Sequence, residues 1–169
     1  AGETRAYACG DLHPILSEFQ GKVALGIERS KVLSPGVPST YFSYRAIDAE
    51  DVLDANGQTE RNDQGRAYVR VREFEPIPLP LFLEGPVHAL KVQPDVAAAR
   101  SLHQQVRESD LFGQKLGMYK VNASLKSESH EIGRAKAFPP GWLENESIWL
   151  HMEYKYLLEL LRAELYEEF

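Results

Sequence analysis

The sequence predicts a mainly α-helical fold with a small β element. Its C-terminal stretch carries apolar residues at the three- and four-residue spacings of an amphipathic helix, namely Leu150, Tyr154, Leu157, Leu161 and Leu165. The stretch after Pro94 has the same spacing, with Val96, Ala99, Leu102, His103 and Val106 on its apolar side. Apolar and polar residues alternate between 40 and 47 and again between 67 and 74, which is typical of strands.

The composition narrows the class of protein. The chain has 169 residues, 43% of them hydrophobic and 26% charged, which is ordinary for a globular domain with a real core. A net charge of −6 argues against a nucleic-acid partner. Cys9 is the single cysteine, so neither an internal disulfide nor a cysteine metal cluster is expected. No membrane-spanning run and no signal peptide are visible, which favours a cytoplasmic location.

The N-terminal 33 residues give no clear secondary structure, because Gly21 and Gly26 interrupt their apolar segments. The two alternating segments, Thr40–Ile47 and Ala67–Phe74, are predicted to pair as strands. The polar connection between them, residues 48–66, would be 19 residues long without an element of its own, which indicates mobility.

Part of that connection has some features of a calcium-binding loop. Asp54, Asn56 and Gly57 match its third, fifth and sixth positions. Val52 and Asp63 then occupy the first and twelfth positions, where an acidic residue and a glutamate are expected. The pattern therefore favours a solvated acidic loop over a metal site.

The second half of the chain is predicted to be helical. Pro86 suits the first turn of a short helix that runs to about Lys91, and Pro94 with Asp95 begins the next. His103 lies on the apolar side of that second helix, which favours a core histidine over a ligand. We therefore divide the chain into an N-terminal segment with a hairpin-like element, residues 1–75, and a helical segment, residues 76–169.

Two groups in the long connection 113–137 are candidates for function. His130 and Glu131 could act as an acid–base pair, although an exposed polar loop is the alternative. Tyr119, Lys120 and Asn122 offer hydrogen-bond donors for an anion or for sugar hydroxyls.

The turn at Pro139–Gly141 precedes the last helix, which is predicted to begin near Glu146 with Asn145 or Ser147 as its N-cap. Glu144 and His151 are seven residues apart, close to two helical turns, so on a continuous helix they would share one face. If the helix begins only at Glu146, Glu144 lies on the turn before it, still near that end.

Two indoles, Trp142 and Trp149, flank these polar groups, and with Asn145 they suit a saccharide pocket. Aromatic faces cover the apolar side of a sugar ring while carboxylate and amide groups bind its hydroxyls. The alternative is that both indoles belong to the core and that Glu144 caps the helix.

The pattern Pro140-Gly141-x-x-Glu144-Asn145 followed by His151 resembles the PGxxENxxxxxH segment of inverting disaccharide phosphorylases, the cellobiose and chitobiose phosphorylase family. Residues 31–41, 80–90 and 118–169 are similar to the later part of large bacterial cellobiose phosphorylase-like proteins. The resemblance implies a fragment of an (α/α)6 barrel. Since the chain begins at Ala1 and its last helix is predicted to continue to Phe169, we expect a piece of a longer protein.

The same resemblance implies a chemistry. In inverting phosphorolysis an aspartic acid protonates the glycosidic oxygen while phosphate attacks the anomeric carbon. It would place phosphate contact on His151 and sugar contact on Glu144, with inorganic phosphate as co-substrate and no other cofactor. The general acid and a phosphate-binding Thr-Gly loop have no counterpart here, so the catalytic residues are unknown. Glu146 and Ser147 also replace a pair of small residues that is frequent at this point of the motif.

Three functions stay open at this point. The chain could be part of a glycoside phosphorylase or glycosyltransferase-like enzyme, inactive by itself, or a saccharide-binding relative without chemistry. It could also be a helical interaction module. The expected ligand is a disaccharide or an oligosaccharide, and self-association is expected through exposed helix faces, at Leu150, Leu157, Leu161 and Leu165.

Overall fold

The computed structural model describes residues 4–93 and 95–169, which form a mixed α/β fold. The helices are α1 (Cys9–Leu33), α2 (Glu84–Val92), α3 (Val96–Glu108) and α4 (Leu150–Arg162). The strands are β1 (Phe42–Asp51), β2 (Val69–Pro78), β3 (Phe112–Gly113) and β4 (Met118–Tyr119). Two short 3-10 helices, His130–Ile132 and Arg134–Ala137, follow β4.

The predicted fold class, a mainly α-helical slice of an (α/α)6 barrel, was wrong. Four helices and two small antiparallel sheets make up the described part of the chain. Stacked helical hairpins would define a barrel slice. Here β3, β4 and the segment after them fill the core beside α2, α3 and α4.

The largest sheet is an antiparallel hairpin of β1 and β2, paired from Phe42 opposite Pro78 to Asp51 opposite Val69. The predicted pairing is confirmed, but the connection is not the unstructured stretch that we expected. Asp54 Oδ1 accepts the backbone N–H groups of Asn56 and Gln58, 2.8 and 2.9 Å away. These bonds hold the pKa of Asp54 below its usual value. The Asp54 carboxylate therefore ties a tight turn together.

A second turn of the same design follows eight residues later. Asn62 Oδ1 accepts the backbone N–H groups of Gln64 and Arg66, both at 3.0 Å. Each turn contains a glycine with a positive φ, 76° at Gly57 and 77° at Gly65, which a residue with a side chain rarely adopts. Two Asx turns in succession thus replace the long mobile connection.

The core lies between α2, α3 and α4, and its fully buried side chains include Leu83, Val106, Leu111, Tyr156, Leu160 and Leu165. On α4 the buried apolar residues are Met152, Tyr156 and Leu160, at a spacing of four. The predicted stripe was therefore rotated, and Leu150 and Tyr154 are exposed.

Two carboxylates on the buried side of α4 explain that error. Glu153 Oε1 accepts the backbone N–H of Tyr119 at 3.0 Å, and Glu159 Oε1 pairs with Arg162 Nη1 at 2.7 Å. Buried charges are tolerated where hydrogen bonds satisfy them. A pattern based on apolar residues alone places both glutamates outside.

Both ends of α4 also differ from the prediction. Trp149, and neither Asn145 nor Ser147, is the N-cap. At the other end Glu164 takes a positive φ of 61°. The N–H of Leu165 then bonds to the C=O of Leu160 at 3.0 Å, and that of Glu164 to Leu161 at 3.1 Å. These two bonds form a Schellman motif, which turns Leu165 back into the core.

Helix α1 occupies the N-terminal region for which the sequence predicted no definite element. It is 25 residues long, contains Pro14, and has no buried residue. In the described part of the chain no helix combines the length and the apolarity needed to cross a membrane.

His103 is a core histidine, as predicted. It is 4% exposed, and its Nδ1 lies 3.0 Å from the hydroxyl of Tyr156. Burial lowers the pKa of His103 below its ordinary 6.5, and the nearby Arg107 acts in the same direction while Glu168 opposes it. The neutral ring is therefore the form that suits the folded protein.

This shift predicts a loss of stability in mild acid. Because the unfolded chain binds the His103 proton more readily, the stabilisation is complete above the unfolded pKa and declines as the pH falls below about 6.5. Melting temperatures between pH 7.5 and 5.5 measure the decline. The variant His103→Asn should show a shallower slope over the same range, and equal slopes would contradict the assignment.

Candidate functional site

A cleft of about 780 Å³ lies between the hairpin and the loop that follows β4. One wall consists of Tyr41, residues 42–45 of β1, Ile77 and Leu79. The lining also includes Phe82 and Leu125, and the opposite wall contains Glu144 and residues from the segment 128–135. The cleft thus combines aromatic, carboxylate and guanidinium side chains.

The open edge of β1 faces this cleft. Side chains alternate between the faces of a strand, so a run of five consecutive lining residues places the cleft at the edge. Tyr44 and Phe42 pair with Pro76 and Pro78, which have no N–H. The backbone groups of Phe42 and Tyr44 therefore point away from β2. Within the described residues no other strand pairs with this edge.

Two tyrosines present aromatic surface at the cleft. The ring of Tyr41 packs edge-on against Phe82, with centroids 5.0 Å apart, and its hydroxyl donates to Glu84 Oε2 at 2.9 Å. That hydrogen bond, with partial burial, raises the pKa of Tyr41. Tyr44 is exposed and packs edge-on against Phe74 at 6.5 Å. Both rings are held in place and still reach solvent.

The carboxylate of Glu144 is the unusual group in the opposite wall. Its Oε1 lies 3.5 Å from the guanidinium of Arg134, which is highly exposed, so this pair contributes little. Its Oε2 is buried and has no hydrogen-bond partner among the described residues. A buried polar atom without a partner costs about 1–3 kcal/mol. The carboxylate of Glu144, which lines the cleft, therefore has one acceptor that the described residues leave unsatisfied.

A rigid turn holds Glu144 in this position. The side chain of Asn122 is fully buried beneath it; Nδ2 donates to the C=O of Glu144 at 2.7 Å, and Oδ1 accepts the N–H of Glu146 at 2.8 Å. Leu143 and Glu146 have positive φ values of 47° and 58°. Such conformations cost about 1–3 kcal/mol each and persist only where the surroundings impose them.

Asn145 supports the same turn from inside. Its Nδ2 donates to the C=O of Phe138 at 2.7 Å, and its Oδ1 accepts the N–H of Leu125 at 3.4 Å. Of the residues that the sequence singled out, Glu144 reaches the cleft, while Asn122 and Asn145 build the turn that positions it.

The remaining predicted site residues lie elsewhere. Trp142 is exposed and packs against Phe138, and Trp149 is half-buried against the core with its ring 5.1 Å from the exposed His151. Tyr119 is buried beside Tyr156, and Lys120 pairs with Glu146 at 3.4 Å. None of them lines the cleft. The phosphate contact assigned to His151 and the sugar contacts of the others stay predictions.

Most residues of the cleft were missed from the sequence, among them Tyr41, Tyr44, Phe82 and Arg134. The two tyrosines lie in the segment predicted as a strand, and their aromatic character was used only for that. Of the proposed pair His130 and Glu131, only Glu131 lines the cleft. In the ranges 4–93 and 95–169 no three His, Cys, Asp or Glu side chains come close enough to hold a metal ion.

Comparison with known proteins gave no match: no family model fits the chain, and no curated protein and no solved structure is significantly similar to it. The function is therefore argued from the cleft.

Proposed function

We propose that the chain binds a saccharide in this cleft, without itself breaking a glycosidic bond. The observation that carries the proposal is the buried, unpartnered Oε2 of Glu144 opposite the tyrosine-lined edge of β1. A sugar presents hydroxyl donors around its rim and apolar C–H surface on its ring face. The cleft offers a carboxylate acceptor and aromatic surface for these two parts.

The size and mixed lining of the cleft agree with this ligand class. Its volume of about 780 Å³ lies within the range of roughly 300–1,000 Å³ found for small-molecule sites. Such sites combine apolar walls with a few polar groups that fix the orientation of the ligand. Glu144, Glu131 and Arg134 supply these polar groups.

Binding alone is proposed because the sequence has no counterpart for the general acid of phosphorylases. General acid–base catalysis typically contributes about 10²–10⁴-fold to a rate, so its loss is severe. The resemblance of the Pro140–His151 segment to disaccharide phosphorylases supports β-linked disaccharides as the first ligands to test. A cytoplasmic location, and inorganic phosphate as a co-substrate, stay predictions.

The variant Glu144→Gln tests the proposal. It preserves the shape of the side chain but removes the charge, and hydrogen bonds to charged groups are stronger than neutral ones. We expect the dissociation constant for a β-linked disaccharide to rise about tenfold or more. Isothermal titration calorimetry with the 169-residue chain measures this.

Glu146→Gln is the matched control, because it lies two residues away in the same turn and faces Lys120 instead of the cleft. It should leave the affinity unchanged. Equal losses in both variants, or no binding of any disaccharide by the parent chain, would contradict saccharide binding.

The open edge of β1 favours a second candidate, an extended peptide that adds as a strand. The outward backbone groups of Phe42 and Tyr44 could pair with it, as in other cases of β-strand addition. A peptide would protect both amides from hydrogen exchange, and its affinity would not follow the charge of Glu144. Exchange measurements with each ligand therefore separate the two functions.

A further inference from the structure

Helix α1 has an apolar face that nothing in the described chain covers. Leu12, Ile15, Leu16, Phe19 and Val23 are between 44% and 62% exposed. At 3.6 residues per turn they lie within an arc of about 100°, which is the width of the buried stripe of an ordinary amphipathic helix. Most helices in proteins owe their stability to packing of such a stripe. A partner for this face is therefore expected.

The charges beside the stripe indicate which partner fits. Asp11, Glu18, Lys22 and Arg29 lie along one edge of it, within an arc of about 40°. The two acidic residues are in the first half of α1 and the two basic residues in the second. Their positions are symmetric about residue 20: Asp11 and Arg29 are each nine residues from it, and Glu18 and Lys22 are each two residues from it.

We propose that α1 pairs with α1 of a second copy of this chain, in antiparallel orientation about residue 20. Asp11 of each copy then faces Arg29 of the other, and Glu18 faces Lys22. A parallel pair would place this edge against the other edge of the second helix, so these four charges would not face one another. The pairing covers the apolar stripe of both copies.

Two further features agree with this arrangement. Pro14, which lacks a backbone N–H and can distort a helix, lies on the opposite side of α1, about 200° from Leu12. The charged side chains of the helix balance, with Asp11, Glu18 and Glu28 against Lys22, Arg29 and Lys31. Helices that lie on membranes are instead rich in Lys and Arg on their polar face.

Charge reversal tests the pairing. An acidic-to-basic variant, Asp11→Lys with Glu18→Lys, and a basic-to-acidic variant, Lys22→Glu with Arg29→Glu, should each weaken self-association at least about tenfold. An equimolar mixture of the two should associate again, because opposite charges then face each other. Sedimentation velocity over a range of concentrations measures both effects. Asp11→Lys also removes the hydrogen bond that Asp11 accepts from the backbone N–H of Ala8, and this loss could itself fray the start of α1. Fraying would persist in the mixture, so recovery of association there shows that the facing charges are the cause.

The control is Glu60→Lys with Asp63→Lys in the exposed turns of the hairpin, which changes the net charge equally. It should leave the dimer intact. A parent chain that is monomeric at all concentrations overturns the proposal, as does an equal effect of the control. Binding of α1 to anionic phospholipid vesicles with no dimer in solution also overturns it, in favour of a membrane surface.

The single cysteine reports the orientation. Cys9 is exposed at the start of α1, and symmetry about residue 20 places it opposite position 31 of the second copy. In the variant Lys31→Cys a short bis-maleimide should link position 9 of one copy to position 31 of the other, as identified by mass spectrometry. Predominant links between the two Cys9 residues would show a parallel pair and overturn the proposal.

Discussion

Replacing Asn122 with alanine is expected to lower the free energy of unfolding by about 2–4 kcal/mol and to abolish measurable saccharide binding. The buried Asn122 amide makes two hydrogen bonds across the turn that carries Glu144. Removing it leaves the C=O of Glu144 and the N–H of Glu146 without these partners, each at about 1–3 kcal/mol. It also removes the support for the strained φ angles at Leu143 and Glu146.

Chemical denaturation measures the loss of unfolding free energy, and titration calorimetry measures the loss of saccharide binding. The exposed Gln64 provides the control, because surface substitutions such as Gln64→Ala are usually worth within about 0.5 kcal/mol. Full saccharide affinity in a folded Asn122→Ala chain would show that the turn does not position the ligand contact. Unchanged stability would show that other contacts define its shape.

The sequence predicted an element well where several local features, such as a capping residue and apolar spacing, indicated the same structure. Helix α3 begins after Asp95, whose carboxylate accepts the N–H groups of Ala97 and Ala98 at 3.1 and 3.3 Å. The cap, the apolar spacing and the preceding proline all indicate the same start. The β1–β2 hairpin was found for the same reason, since alternation marks both of its strands.

The errors arose where a local signal was missing or misleading. The C-terminus of α4 uses Glu164 in a left-handed conformation that glycine usually occupies, so the sequence gives no stop signal there. The N-cap of α4 is Trp149, whose side chain makes no capping hydrogen bond. In α1 one proline and three glycines, residue types that normally end helices, lie inside a helix, so the apolar spacing was not recognised.

The candidate site was only partly predictable. Glu144 was found because it lies in a turn rich in proline, glycine and asparagine, whose residue types restrict the backbone locally. Tyr41 and Phe82, which line the same cleft, are distant from Glu144 in sequence. Only the tertiary packing of the chain brings these three residues to one cleft. A single sequence does not encode that proximity in any short pattern.

The cleft and the α1 face are separate features that imply different kinds of interaction. The cleft suits a small ligand because it is concave and one of its lining carboxylates, Glu144, has an unsatisfied acceptor. The α1 face is an exposed apolar stripe bordered by opposite charges, which suits a protein surface. Since no residue of α1 lines the cleft, saccharide affinity and dimerisation should respond to different substitutions.

Replacing Gly85, three residues after the cleft residue Phe82, with alanine is the substitution expected to disturb the packing beside the cleft most directly. A Cβ at Gly85 would lie 2.7 Å from the carbonyl oxygen of Pro38 and 2.7 Å from Thr40 Oγ1. The carbonyl belongs to the backbone and Thr40 Oγ1 donates to the C=O of Phe82, so neither neighbour moves freely. Helix α2 and the segment leading into β1 must therefore separate, which shifts Tyr41 relative to Phe82.

Two opposing contributions decide the sign of the effect on stability. Alanine improves helix propensity over glycine by up to about 1 kcal/mol. Overpacking against a well-packed neighbour costs about 1–3 kcal/mol, and a backbone contact lies at the upper end of that range. We therefore expect Gly85→Ala to lower the melting temperature and to weaken saccharide binding. Gly21→Ala in α1, where no atom lies within 4 Å of the added Cβ, should instead raise stability or leave it unchanged. If both substitutions stabilised the chain equally, the close approach of α2 to the segment that leads into β1 would be wrong, and with it the geometry beside the cleft.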